Sequence, residues 1–174
     1  LDRLDPIARE IGAVNTIKIE KDGSLTGYNT DHHGFTESLR PHLKKEHKDA
    51  LILGTGGASK AVAYSLRQLQ IPYIFVSRRA GETRLAYEDL TTEIIRDHPL
   101  LINCTPLGTY PKVTDAPQIP YRGITSKHLV FDLIYNPPVT RFMELAKAEG
   151  ATAINGYKML ELQAEKAWEI WNHL

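Results

Sequence analysis

The chain has 174 residues, 42% of them hydrophobic and 24% charged, with 21 basic and 21 acidic side chains. So even a balance gives no reason to expect a nucleic-acid partner or an anionic membrane surface, and any bound anion must be held by local charges and backbone dipoles. The single cysteine, Cys104, excludes an intramolecular disulfide and suits a reducing compartment. No apolar run is long enough to cross a bilayer, and the opening Leu-Asp-Arg-Leu-Asp-Pro lacks both the basic start and the apolar core of a signal peptide, so a cytoplasmic protein is expected.

In chain order, Ala13 to Glu20 alternates well enough for a strand, Lys21 to Ser24 reads as a turn, and Leu25 to Asn29 as the return strand. Thr30 or Asp31 is placed to cap a helix over Gly34 to Leu43, with Phe35, Leu39 and Leu43 on one face. Lys44 to Asp49 is a polar connector. From Ala50 the pattern changes to short, continuously apolar runs of the kind that form strands covered on both faces: Ala50–Leu53, Tyr73–Val76, Leu100–Asn103, Leu129–Ile134 and Ala151–Ile154. Helices are expected over about Ala58–Gln70, with Val62, Leu66 and Leu69 aligned, over Val139–Glu149, closed by Gly150, and over Tyr157–Asn172. The last helix is expected to bury a stripe of Leu160, Ala164, Ala167, Trp168 and Trp171. Short apolar strands alternating with helices predict an α/β fold with a doubly wound parallel sheet.

The sharpest local signal is Leu53-Gly54-Thr55-Gly56-Gly57-Ala58-Ser59, set between a buried-type strand and an amphipathic helix. A dinucleotide-binding turn needs glycines there for tight turning and close approach of backbone to pyrophosphate, and the following helix N-terminus offers unpaired amides. Ser59 stands where the third glycine is usual. The end of the next strand selects the cofactor. An acidic residue there would accept from a ribose 2′-hydroxyl, but this chain has Ser77-Arg78-Arg79, suited to a 2′-phosphate through charge-assisted bonds. NADP(H) is therefore expected over NAD(H).

Several further segments, in order, resemble the shikimate dehydrogenase family. They are Ile11-Gly-Ala-Val-Asn-Thr16, Gly27-Tyr-Asn-Thr-Asp31, the glycine turn, Ser77-Arg-Arg79 in place of an Asn-Arg-Thr clamp, and Asn103-Cys-Thr-Pro-Leu-Gly108. Asp132-Leu-Ile-Tyr-Asn-Pro137 followed by Thr140, and Gly156-Tyr-Lys-Met-Leu160 with Gln163, complete the series. The resemblance implies NADPH-dependent, reversible reduction of 3-dehydroshikimate to shikimate, a step of chorismate and aromatic amino-acid biosynthesis. It implies substrate contacts from Asn15, Asp31 and Gln163, with Tyr135 reaching the substrate carboxylate and Asp31 acting as the catalytic carboxylate. Gly54, Gly56, Gly57 and Ala58 would line the pyrophosphate and Ser77, Arg78 and Arg79 the adenosine phosphate. Thr105, Ile134, Gly156 and Met159 would lie along the nicotinamide.

Two departures stand out. Arg79 replaces the clamp's usual threonine, and the family's lysine-bearing Asn-Val-Thr-x-Pro-x-Lys motif does not occur in these residues. Lys18 and Lys21 lie downstream of Asn15 and cannot replace that lysine, so this chain by itself is expected to be inactive. Quinate/shikimate dehydrogenase, or an NADP-binding module without catalysis, are the alternatives. On residue type alone, Asp31 reads as a helix cap ahead of a catalytic group and Gln163 as a boundary residue, an order that the motif resemblance reverses; Tyr135 reads equally as core, the His32-His33 pair as solvent-facing rather than metal-binding, and Cys104 as a small core residue. The expected layout assigns 1–33 to part of a substrate domain, 34–154 to a Rossmann-like NADP domain and 155–174 to a helix returning to the substrate domain. The partner expected is a small molecule, with no metal; a homodimer stays open.

Overall fold

The structure, a computed structural model, describes residues 1–172. It opens with a short strand, β1 (Arg3–Leu4), and a six-residue helix, α1 (Pro6–Ile11), neither of which is among the elements expected from sequence. Helix α1 nevertheless carries its own punctuation. Asp5 accepts from the amides of Ile7 and Ala8, Pro6 is the first helical residue, and Gly12 ends the helix at φ +69°. The expected hairpin follows as β2 (Thr16–Ile19) and β3 (Leu25–Tyr28), antiparallel with Ile17 opposite Gly27. Strand β1 joins β3 in parallel to complete a three-stranded sheet ordered β1-β3-β2.

Helix α2 spans Asp31–Leu39 rather than Gly34 to Leu43. Pro41 explains the early stop: it has no N–H to donate and its ring crowds the carbonyl a turn earlier, so Arg40–His42 tightens into a 3-10 turn. The cap also differs from expectation. Thr30 holds the cap position without a side-chain bond to the helix amides, Asp31 is already helical, and Asn29 Oδ1 accepts the His32 amide at 3.3 Å.

The remainder alternates strand and helix: β4 (Ala50–Leu53), α3 (Gly57–Gln68), β5 (Tyr73–Ser77), β6 (Arg84–Ala86), α4 (Thr92–Asp97), β7 (Leu100–Asn103), β8 (Leu129–Asp132), α5 (Arg141–Ala148), β9 (Thr152–Ile154) and α6 (Tyr157–Asn172). The short edge strand β6 and helix α4 are additions to the elements expected from sequence. Six parallel strands make a sheet ordered β6-β5-β4-β7-β8-β9. Counted from β4 this is 3-2-1-4-5-6, the doubly wound order, whose direction reverses between β4 and β7. Every residue of β4, β7 and β8 is buried. Phe35, Val62, Leu66 and Met159 from α2, α3 and α6 pack on one face, and Ile95, Phe142 and Ala146 from α4 and α5 on the other. No helix among the described residues is long and apolar enough to cross a membrane.

Helix α6 has the expected bounds but turns a partly different face inward: of the expected stripe only Ala167 is buried and Leu160 half-buried. Trp168 is 66% exposed and Trp171 51%, and Ala164 is exposed too, whereas Met159 and Ala167 are buried with Gln163 between them. The cause is a close approach to α2 at Gly34, where a Cβ would come within 2.5 Å of the Met159 carbonyl oxygen and 3.0 Å of Gln163 Cβ. Instead of packing, Trp171 donates through Nε1 to the Ile17 carbonyl at 2.9 Å, tying the end of α6 to β2.

Candidate functional site

At the switch point the loops leaving β4 and β7 meet. Gly54 sits at φ +108°, and a Cβ there would lie 3.1 Å from Thr105 Cγ2 and 3.2 Å from the Cys104 carbonyl, so only glycine suits both its conformation and its space. Gly56 is different: a Cβ there would meet nothing within 4 Å. Its bareness serves no packing of the chain itself and leaves the backbone open to a ligand. Among the described residues no hydrogen bond engages the amides of Gly56, Gly57 or Ala58, and behind them lies the positive end of α3. Ser59 reinforces the turn, being fully buried and donating to the Gly56 carbonyl at 2.6 Å.

Beyond β5, Ser77 Oγ donates to the Arg79 carbonyl at 2.7 Å and accepts the Arg79 amide at 3.3 Å, folding the segment into a tight local turn. Arg78 and Arg79 are exposed, and neither guanidinium is paired with a carboxylate among the described residues. Unengaged amides at a helix start and two unpaired guanidinium groups at the end of the neighbouring strand are the donor set that a phosphorylated dinucleotide requires.

A second cluster closes the carboxyl ends of β7 and β8. Asp132 Oδ1 accepts from Asn103 Nδ2 at 3.0 Å and from the Ile134 amide at 3.1 Å, while Oδ2 accepts from Thr140 Oγ1 at 2.5 Å. Asn103 Oδ1 in turn receives the Thr105 amide at 3.0 Å and its hydroxyl at 2.6 Å. Burial pushes the Asp132 carboxyl up to about 6 against the opposing pull of its hydrogen bonds from Thr140, Ile134 and Asn103. Ile134 then accepts the Gly156 amide at 3.0 Å, and Gly156 lies so close to Leu133 that a Cβ would overlap its carbonyl. The close approach of Gly54 to Thr105, and hydrogen bonds from Thr105 through Asn103, Asp132 and Ile134 to Gly156, thus connect the phosphate turn with the head of α6.

That helix delivers Gln163 to the third cluster. Asn15 Nδ2 donates to Asp31 Oδ1 at 2.8 Å and to Thr30 Oγ1 at 3.0 Å, and Asn15 Oδ1 accepts the Thr30 amide at 2.8 Å. Thr30 Oγ1 donates to Gln163 Oε1 at 3.1 Å, and Thr16 Oγ1 donates to Asn15 Oδ1 at 3.1 Å. Burial raises the Asp31 carboxyl above its ordinary range while the bond from Asn15 lowers it.

The structure therefore brings together Asn15, Asp31 and Gln163, and sets Gly54 against Thr105. Met159 is buried one turn before Gln163 on α6. Tyr135, 48% exposed beyond Ile134, makes no hydrogen bond to the Asn15 cluster and is not a core residue. His32 is not solvent-facing: its ring meets Tyr64 edge to face at 5.3 Å, and its carbonyl accepts from Ser65 Oγ. Cys104 packs at the margin of the core, where burial pushes its thiol well above the ordinary range. Among the described residues no group of His, Cys, Asp or Glu is arranged to hold a metal ion. Sequence reasoning assigns no part in the site to Thr16, Thr30, Asn103, Asp132 or Thr140. The available signal is their position inside the matched motifs, each directly beside or within reach of a chosen residue.

The strand order, the glycine turn at its reversal and the unpaired arginines together define a Rossmann-type nucleotide-binding protein. No family model matches the chain. It is 39% identical over 188 residues to the NADP-dependent shikimate dehydrogenase of Methanosphaera stadtmanae, a match that spans 98% of this chain and 66% of the relative. It is 36% identical over 187 residues to that of Bacillus cytotoxicus, spanning 98% and 67%. The crystal structure of shikimate 5-dehydrogenase from Thermus thermophilus in complex with NADP(H) and shikimate matches with a TM-score of 0.85 at 34% identity, over 100% of this chain and 67% of that one. The chain belongs to the shikimate dehydrogenase family. It spans just under two thirds of the length of the Methanosphaera relative.

Proposed function

We propose that this chain carries the NADP(H)-binding part and one side of the substrate site of an enzyme that reversibly reduces 3-dehydroshikimate to shikimate. The observation that carries this reading is the placement of unengaged phosphate donors (the turn amides, Arg78 and Arg79) at the switch point of the large sheet, whose last helix α6 also brings Gln163 to the Asn15–Asp31 cluster. In this reading Gly54, Gly56, Gly57 and Ala58 cradle the pyrophosphate and Ser77, Arg78 and Arg79 hold the 2′-phosphate. Thr105, Ile134, Gly156 and Met159 form the nicotinamide wall. Residues 34–154 make the cofactor lobe, and 1–33 with 155–174 the substrate side.

NADPH, when bound here, would supply the hydride for reduction of the ketone. The chain's own residues bind, orient and manage protons. Gln163 Nε2 donates to the Leu160 carbonyl and keeps its second hydrogen for a polyhydroxy acid, whereas the Asn15 amide is fully engaged by Asp31, Thr30 and Thr16 and would pair with substrate only by exchanging one of those bonds. Asp31 has one oxygen occupied by Asn15, leaving Oδ2 to hold a substrate hydroxyl or a proton beside the developing alkoxide. Tyr135, on its exposed loop, is the residue we assign to the substrate carboxylate.

Calorimetric titration of this chain with NADPH and NADH, each with and without shikimate or quinate, tests the reading. NADPH should bind more tightly than NADH by roughly tenfold or more, as expected for a guanidinium clamp worth about 1.5–3 kcal/mol. Arg78→Ala should erase most of that difference. Absence of any NADPH binding would leave the glycine turn a merely structural feature and end the proposal.

A further inference from the structure

Resting on the reading of the NADP(H) site above, we infer that Asp132 is a positioning residue that sets the nicotinamide wall through Asn103 and Thr105. The loops after β7 and β8 leave neighbouring strands, and their backbones are joined by the Leu133 amide on the Asn103 carbonyl and by Thr109 Oγ1 on the Asn136 carbonyl. Asp132 aligns the side chains at their start with a single carboxylate. Its Oδ1 gathers Asn103 from β7 and the Ile134 amide from its own loop, and its Oδ2 takes the hydroxyl of Thr140, which caps α5 by accepting the Met143 amide. Asn103 passes the constraint on, because its remaining oxygen receives both the amide and the hydroxyl of Thr105. Thr105 stands against Gly54, and Ile134 against Gly156, so one group fixes both walls of the slot relative to the phosphate turn.

A purely structural role does not account for such a residue. Asp132 is fully buried and no lysine or arginine pairs with it among the described residues. Burying an ionisable group without a counter-charge is unfavourable, and apolar side chains hold strand ends together at lower cost. What a carboxylate adds is direction: two acceptor oxygens that admit only one arrangement of three donors. Rigid support behind a ligand-facing residue is how a site keeps its geometry within a fraction of an ångström.

The test uses two ligands that share the phosphate clamp and differ at the nicotinamide. Wild type and Asp132→Asn, whose amide nitrogen cannot accept from Thr140, are titrated with adenosine 2′,5′-bisphosphate by calorimetry and with NADPH by its nicotinamide fluorescence. The bisphosphate affinity should change by less than about twofold, while NADPH binding weakens by about fivefold or more and the emission gain on binding is lost, as expected when support behind one wall loosens. Equal weakening of both ligands would assign Asp132 to general folding, and no change in either would remove its role altogether; both overturn the inference. Should Asp132→Asn fail to fold, Asn103→Leu is read by the same pair of ligands, with selective loss of NADPH supporting the inference and equal or no loss overturning it. A wild-type chain that binds neither ligand removes the nucleotide site itself, and the inference with it, whereas one that binds both leaves the ratio between variants to decide.

Discussion

In the six-stranded sheet the central strands β4, β7 and β8 are enclosed on both faces by helices that the same chain supplies. In the three-stranded sheet the arrangement is reversed. Thr16 and Thr26 are the buried side chains on one face, while Ile17, Ile19 and Leu4 on the other are 49%, 74% and 36% exposed. The large sheet thus holds the fold together by burying apolar surface, and the small sheet turns its polar face towards α2 and α6. That inward polarity is what places Thr16 and Asn15 against Thr30, Asp31 and Gln163. The two sheets meet along a hydrogen-bonded seam, and the Asn15–Asp31–Gln163 cluster of the candidate site lies there.

The contrast should appear first as a difference in tolerance. Phe131→Ala, on the fully buried strand β8 of the large sheet, is expected to cost about 3–5 kcal/mol in chemical denaturation, the range for deleting a fully buried aromatic. A loss under about 1 kcal/mol would mean that the large sheet is not the structural core.

His128 gives the next largest effect and adds a pH signature. It is buried at the foot of β8, with Nδ1 accepting the Thr125 amide at 3.0 Å and Nε2 against the Ile95 carbonyl at 2.9 Å. Burial lowers its pKa, outweighing the two backbone bonds. A depressed pKa in the folded chain means that the neutral ring stabilises above the ordinary histidine value of about 6.5, and that this contribution is lost as pH falls through that value towards the lowered one. His128→Gln should therefore cost about 1–3 kcal/mol at alkaline pH, and the gap from wild type should narrow on acidification, as followed by melting curves. A gap that widens would contradict the burial argument.

At the seam, Asn15→Ala should cost about 1 kcal/mol, since the Thr30 amide loses its acceptor. Its sharper consequence is electrostatic. Asn15 is the group that opposes the effect of burial on Asp31, so removing it should raise the Asp31 pKa further, as read from the carboxyl carbon by NMR titration. A lowered value would show that the carboxylate is governed by something else. Smallest of all, Ile19→Thr on the open face of the small sheet should stay within about 0.5 kcal/mol of wild type; a core-sized loss there would erase the contrast between the sheets.

The large sheet is readable from sequence because its strands are continuously apolar, a pattern that leaves little choice but enclosure. Strand β6 is not, since Arg84–Ala86 pairs along one side only and carries no such run. Helix α1 escapes a periodicity argument although Asp5, Pro6 and Gly12 mark it, because six residues are too few to show a helical period. The inward face of α6 is misleading for a different reason. Leu160, Ala164 and Trp168 form a convincing stripe, but the partner helix presents Gly34, and that gap, far earlier in the chain, decides which side fits. The polar residues chosen from motifs, Asn15, Asp31 and Gln163, do converge. The hydroxyls of Thr16 and Thr30 that join them carry no such signal, because threonine beside a strand is ordinary and only the fold shows what it faces.

Gly34 also bears on how such a protein could be engineered. Exchanging glycine for alanine within a helix is a routine thermostabilising choice, with a gain of about 1 kcal/mol where the position is free. Here the added methyl would land 2.5 Å from the Met159 carbonyl, so the same exchange must shift α6 and carry Gln163 away from Thr30. A stabilisation campaign guided by helix propensity alone would select against the site at this position without altering a single polar atom, and random drift there would be filtered by a requirement for emptiness.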